Sequence, residues 1–90
     1  ALHPGNVAAQ ADAVYATVAE VLASAGLGPE HLVRTVEYVT AAGLPAYRKV
    51  AAVRQRRLRR PYPASTGLVC AGLLRPEFLL EVDATAVFPE

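Results

Sequence analysis

Apolar positions near the start of the chain recur at helical spacing. Val7, Ala11, Val14, Val18 and the Val21–Leu22 pair follow at i, i+4, i+7, i+11 and i+14, the repeat of a helix that buries one side. Alanines fill much of the space between them and favour the same conformation. Pro4-Gly5-Asn6 turns the chain into this run, with Asn6 placed as its N-cap. Gly26, Gly28 and Pro29 stop it. The pattern predicts a helix over residues 6 to 25.

The period then changes. Leu32 to Thr40 reads Leu-Val-Arg-Thr-Val-Glu-Tyr-Val-Thr, β-branched and aromatic, and predicts a strand. Residues 41–44 form a loop, and Pro45 suits the first turn of a second helix. Tyr47, Val50, Ala51, Arg54 and Leu58 make one stripe along that helix. Arg60-Pro61-Tyr62-Pro63 ends it, because a residue before proline avoids the helical region. Thr66 to Ala71 reads as the next strand, residues 72–77 as a turn, and Phe78 to Phe88 as the last strand. In that last strand Leu80, Val82, Ala84 and Ala86 share one face, and Glu81, Asp83 and Thr85 share the other. The apolar face is expected to pack on the helices, leaving the carboxylates for water, a partner subunit or a site. The order is α-β-α-β-β, an α+β arrangement with no internal repeat or low-complexity linker.

Composition narrows the classes. Ninety residues make a single domain, 1–90, near the lower end of independent folding. Ala, Val and Leu dominate and charges are mixed, so the chain is globular rather than disordered. A net charge of +1 implies neither an acidic nor a basic partner. The single cysteine excludes an internal disulfide. No run approaches the ~18 apolar residues of a membrane span, and no leader pattern is visible. A cytoplasmic protein with no membrane partner is the expectation.

The most specific stretch lies between residues 63 and 89. Pro63-Ala64-Ser65-Thr66-Gly67-Leu68-Val69-Cys70-Ala71-Gly72-Leu73 is followed by a turn and by Leu79-Leu80-Glu81-Val82-Asp83-Ala84-Thr85-Ala86-Val87-Phe88-Pro89. This resembles the closing hairpin of the Rid family, the reactive intermediate deaminases also called the YjgF family. That family typically writes P-A-R-S-x-V-x-V-A-x-L-P, a short turn, then E-I-E-A-I-A. The resemblance covers nearly all of this chain. It implies the chorismate-mutase-like Rid fold, one sheet with two helices on one face. It also implies a homotrimer built through the other sheet face, with small-molecule sites in the clefts between subunits and no cofactor. The start, Ala1-Leu2-His3-Pro4-Gly5-Asn6, resembles the point just before the family's first helix, so the family's N-terminal β-hairpin is expected as a separate or upstream segment.

The resemblance also names site candidates. Glu81 matches the first carboxylate of the E-I-E motif, which in the family lies in the cleft and can position or activate water beside an imine carbon. Its bland alternative is an exposed strand carboxylate or an interface ion pair. Ser65 stands at the arginine that grips a substrate carboxylate with two prongs. The turn before Glu81 is one residue longer here, so Thr66 is the alternative occupant. Neither is cationic, and each offers one hydroxyl. The family often places asparagine and tyrosine where this chain has Ala51 and Arg54. Arg54 is thus a second candidate cation, although such an arginine more often runs along the packed surface to solvent.

Cys70 shares a strand face with Thr66 and Leu68, opposite Gly67 and Val69, and joins the substrate-binding candidates if Thr66 faces the cleft. A nucleophilic cysteine needs a base or cation beside it, and neither His3 nor His31 is near in sequence, so a small buried hydrophobe is the preferred reading. Two histidines and one cysteine make no metal motif. No phosphate-binding glycine loop or G-x-S-x-G element is present.

Arg48, Lys49, Arg54, Arg56, Arg57, Arg59 and Arg60 put seven of the nine basic residues on the second helix. Some Rid relatives are described as ribonucleases, and such a patch can bind RNA phosphates. No aromatic platform for stacking bases accompanies it, and cations suit a helix C-terminus, so a solvated face is preferred. The reading that results is an atypical Rid-like protein. It would bind a small enamine, imine or related carbonyl compound lacking a simple α-carboxylate, such as an intermediate of a specialised biosynthetic pathway. A non-catalytic ligand-binding or assembly protein, and an RNA-binding relative, are the alternatives.

Overall fold

The structure is a computed structural model and describes residues 3–90. The first two residues of the family-like start therefore lie outside it. Helix α1 spans Val7–Ser24, strand β1 Leu32–Thr40, helix α2 Val50–Arg57, strand β2 Ala64–Cys70 and strand β3 Leu80–Ala86. This is the expected α-β-α-β-β order. A 3-10 segment, Leu44–Lys49, leads into α2.

Helix α1 begins where Asn6 accepts the Ala9 amide through its side chain at 3.0 Å. It ends in a Schellman turn. Gly26 takes φ +76, its N–H bonds to the Ala23 carbonyl at 3.0 Å, and the Leu27 N–H bonds to the Leu22 carbonyl at 2.8 Å. Leu27 packs with the cluster that holds Leu22, the apolar contact that goes with such a turn. The buried stripe of α1 is Val7, Ala11, Tyr15 and Leu22. Val14 is only half-buried and Val21 is exposed, because steps of four from Val7 and Ala11 reach Tyr15 and carry those two valines to the flank. In α2 the buried positions are Val50 and Val53. Ala51, expected in the stripe, faces solvent, since a helix start at Val50 turns Val53 rather than Ala51 towards the core.

The three strands lie in the order β2-β1-β3. Strand β1 pairs parallel with β2 and antiparallel with β3. The two closing strands, expected as a hairpin, are therefore not neighbours. The 71–79 connection crosses the end of β1, which takes the central place. That strand carries most of the buried positions of the sheet, whereas β2 is exposed over Ala64–Val69. The nine-residue link also exceeds the two to five residues usual for a hairpin turn.

Register fixes the two faces. Thr35, Glu37 and Val39 of β1 align with Ser65, Gly67 and Val69 of β2 and with Ala84, Val82 and Leu80 of β3. Leu80, Val82, Ala84 and Ala86 join the core with residues of both helices, as their alternation predicts. A bulge between Leu32 and Arg34 turns Leu32 into the core and leaves Val33 exposed. The opposite face presents exposed Arg34, Thr66, Leu68, Glu81, Asp83 and Thr85. Gln10 ties α1 to the segment before β3. Its amide donates to the Glu77 carbonyl at 2.9 Å, and its oxygen accepts the Leu79 N–H at 2.8 Å. No helix among the described residues is long and apolar enough to cross a membrane.

Candidate functional site

The largest concentration of chemistry sits between the helices and the sheet, on Glu37. Its alternation with Thr35 and Val39 turns it inward, and its side chain is 0% exposed. A buried carboxylate is costly unless paired and hydrogen-bonded, and three donors meet this one. The Tyr15 hydroxyl from α1 donates to Oε2. The Tyr47 hydroxyl donates to Oε1 at 2.6 Å. Arg54 of α2 donates to the same oxygen through Nη1 at 2.5 Å. The expected course of Arg54 along the surface to solvent is thus not what the structure shows. Its side chain is 29% exposed, and among the described residues Glu37 is its only hydrogen-bond acceptor.

Burial, reinforced by the hydrogen bond to Glu37, pushes the Tyr47 phenol up to about 12. The same causes in the same order push Tyr15 up further. Both hydroxyls therefore stay protonated and act as donors near neutral pH. Tyr47 reaches Glu37 by crossing β2 at Gly67. A Cβ there would collide with the Tyr47 hydroxyl and stand 3.2 Å from Cζ.

Ser65 lies on this same face. Thr35, fully buried, donates its hydroxyl to Ser65 Oγ at 3.2 Å. Thr66 lies on the opposite face, in register with Val36, as do Cys70, in register with Thr40, and Glu81, in register with Tyr38. The five candidates therefore divide. Arg54 and Ser65 stand on the helix side of β2. Thr66 and Cys70 stand on its other side. Glu81 shares that second face, but β1 separates it from β2, about 10 Å across two strand spacings. Cys70 is half-buried at the end of its strand. Glu81 is exposed and also borders a groove of about 330 Å³ between α1 and β3, with Gln10, Val14, Phe78 and Val82.

Of the basic cluster, Arg54, Arg56 and Arg57 pair with carboxylates within the fold, while Arg48, Lys49, Arg59 and Arg60 are exposed. Arg56 and Arg57 bond to Asp12 at 3.2 Å and 2.9 Å. The hydrogen bond from Arg57 holds the Asp12 carboxyl below the usual carboxylate range. Arg59 donates to the backbone carbonyls of Arg56 and Leu58, and Arg60 lies 5.7 Å from the Tyr62 ring centre. His31, far from Cys70, accepts the Gly28 N–H at 2.9 Å. Among the described residues no group of three or more His, Cys, Asp or Glu side chains could hold a metal ion.

Comparison with known proteins gives consistent results. The family model described as Endoribonuclease L-PSP matches residues 1–88. Rv2704 from Mycobacterium tuberculosis, a member of the YjgF/YER057c/UK114 family, superimposes with a TM-score of 0.83 at 26% identity, over 92% of this chain and 69% of that one. PA3499 from Pseudomonas aeruginosa gives 0.82 at 32% identity, over 90% and 57%. YyfB of the Rid protein family from Yersinia pestis gives 0.81 at 29% identity, over 94% and 65%. The chain thus spans between 57% and 69% of the length of these three structures. No curated protein matches its sequence.

Proposed function

Because this chain belongs to the endoribonuclease L-PSP family, the YjgF/Rid proteins, we propose that it supplies parts of a small-molecule site formed between copies of the fold. The ligand is an enamine, an imine or a related carbonyl compound. The observation that carries this reading is the division of the candidates between the two sheet faces. Ser65 and Arg54 are on the helix side of β2, and Glu81 is on the far side of β3. No small ligand spans both within one copy, whereas a cleft between copies can bring β2 of one to β3 of the next. The exposure of β2, with Leu68 at 47% and Val69 at 59%, supports a partner copy there, and a homotrimer follows from the family resemblance.

In such a cleft Glu81 acts as general base towards water. Water adds across the C=N bond, the carbinolamine collapses to the carbonyl, and the amine leaves with the proton that the carboxylate carried. Ser65 lines the cleft as a neutral contact on the helix side of β2, Thr66 and Cys70 stand on the strand's other face, and the product belongs to small-molecule biosynthesis. The occupied arginines of α2 favour this reading over RNA binding.

The test is turnover of a freshly generated neutral imine by the wild type and by Glu81→Ala. General-base catalysis contributes about 10²- to 10⁴-fold, so the variant should lose at least about a hundredfold in kcat. Equal rates would remove Glu81 from the mechanism, and binding without turnover would make the protein a ligand carrier.

A further inference from the structure

Resting on that reading of the cleft, we infer that Glu37 sets the ligand specificity by cancelling the charge of Arg54, so that the site takes a neutral carbonyl or imine and rejects a carboxylate. The helix side of β2 carries Ser65 at the position where the family resemblance expects a cation. Two residues along β1 from Thr35, the partner of Ser65, stands Glu37, about 7 Å away along the strand. Its buried carboxylate is bonded to Arg54 at 2.5 Å. Arg56 and Arg57 of the same helix are taken up by Asp12.

Arg54 is the cation bonded on the inner face of the sheet, and it is matched by one anion that solvent cannot screen. A ligand carboxylate placed on the exposed edge of Arg54 would meet the repulsion of Glu37 through the protein interior, where charges act over longer range than in water. A carbonyl or imine carries no such penalty. It can accept from the N–H groups of Arg54 that Glu37 leaves free. The pair is thus more than an anchor for α2. It leaves an arginine, the usual reader of carboxylates, as a donor whose charge is already matched.

Pyruvate and pyruvamide are near-isosteric and differ by one charge, which makes them suitable probes. Calorimetric titration of the full chain should show preference for pyruvamide. Glu37→Gln keeps the shape and the bond to Arg54 while removing the anion, and should raise the affinity for pyruvate relative to pyruvamide by about tenfold. Glu37→Gln combined with Arg54→Gln should lose that gain. An unchanged ratio in Glu37→Gln, a gain that persists in the double variant, or no binding of either probe to any of the three proteins overturns the inference. If Glu37→Gln does not fold, the Arg54 Nε–H resonance of the wild type decides: it should move with pyruvamide and stay still with pyruvate, and the reverse overturns the inference. Imine turnover is read separately, so a shifted ratio without turnover would leave the specificity standing and remove only the hydrolase.

Discussion

At Gly67 an absent side chain makes room for a contact between other residues. Tyr47 lies against that backbone and so reaches Glu37 at 2.6 Å. Gly67→Ala should displace the tyrosine and cost about 1–3 kcal/mol, the usual range for overpacking. In combination with Tyr47→Phe, which removes the colliding oxygen, the cost should fall below the sum of the two single changes. Urea unfolding of the three variants measures that coupling. The phenol also predicts an alkaline limit. Its folded value near 12 lies above the ordinary 10.0. The stability held by the neutral form is complete below pH 10 and is lost as pH rises from about 10 towards 12. Unfolding free energies measured across that window should decline, and decline less in Tyr47→Phe. Glu37 is only partly legible in sequence. Alternation with Thr35 and Val39 marks it as inward-facing, and a glutamate in a β-branched strand is a signal. Nothing local shows that Tyr15 and Tyr47, 22 and 10 residues away, converge on it.

Elements are more legible than their contacts. The cap at Asn6, the stop at Gly26 and the strand over residues 32–40 follow from local chemistry, which spacing and turn residues report directly. Helix faces are less so. Helix α1 is alanine-rich and α2 carries Ala51 and Ala52 beside Val50 and Val53, and a small apolar residue fits the core or the surface equally well. The stripe expected through Ala51 in fact runs through Val53. Val53→Ala should therefore cost about 2 kcal/mol of transfer and cavity energy, while Ala51→Ser should stay within about 0.5 kcal/mol of the wild type. Asn6→Ala removes the acceptor of the Ala9 N–H and should cost about 1 kcal/mol. Thermal melts of the three variants rank these effects. The closing strands show the other limit. Their alternation gives their faces correctly, but pairing is a property of the whole sheet, and β1 comes between them.

For the whole molecule, the family motif marks the candidate stretch, and the structure adds that its residues look in opposite directions. Ser65 and Thr66, adjacent in sequence and interchangeable candidates by alignment, stand on different faces because a strand alternates. The central place of β1 also bears on how the chain folds. No two strands that pair here are joined by a short turn. Thr35 meets Ser65 across 30 residues, and the partners of β1 on β3 lie further along still. Among the described residues the sheet has no local hairpin from which to grow, so ring closures over long stretches of chain precede these strand pairings. Such non-local topologies cross their barrier more slowly than helical bundles of equal size. Stopped-flow refolding should accordingly show α1 gaining helical signal early and the amides of β1 becoming protected against exchange last.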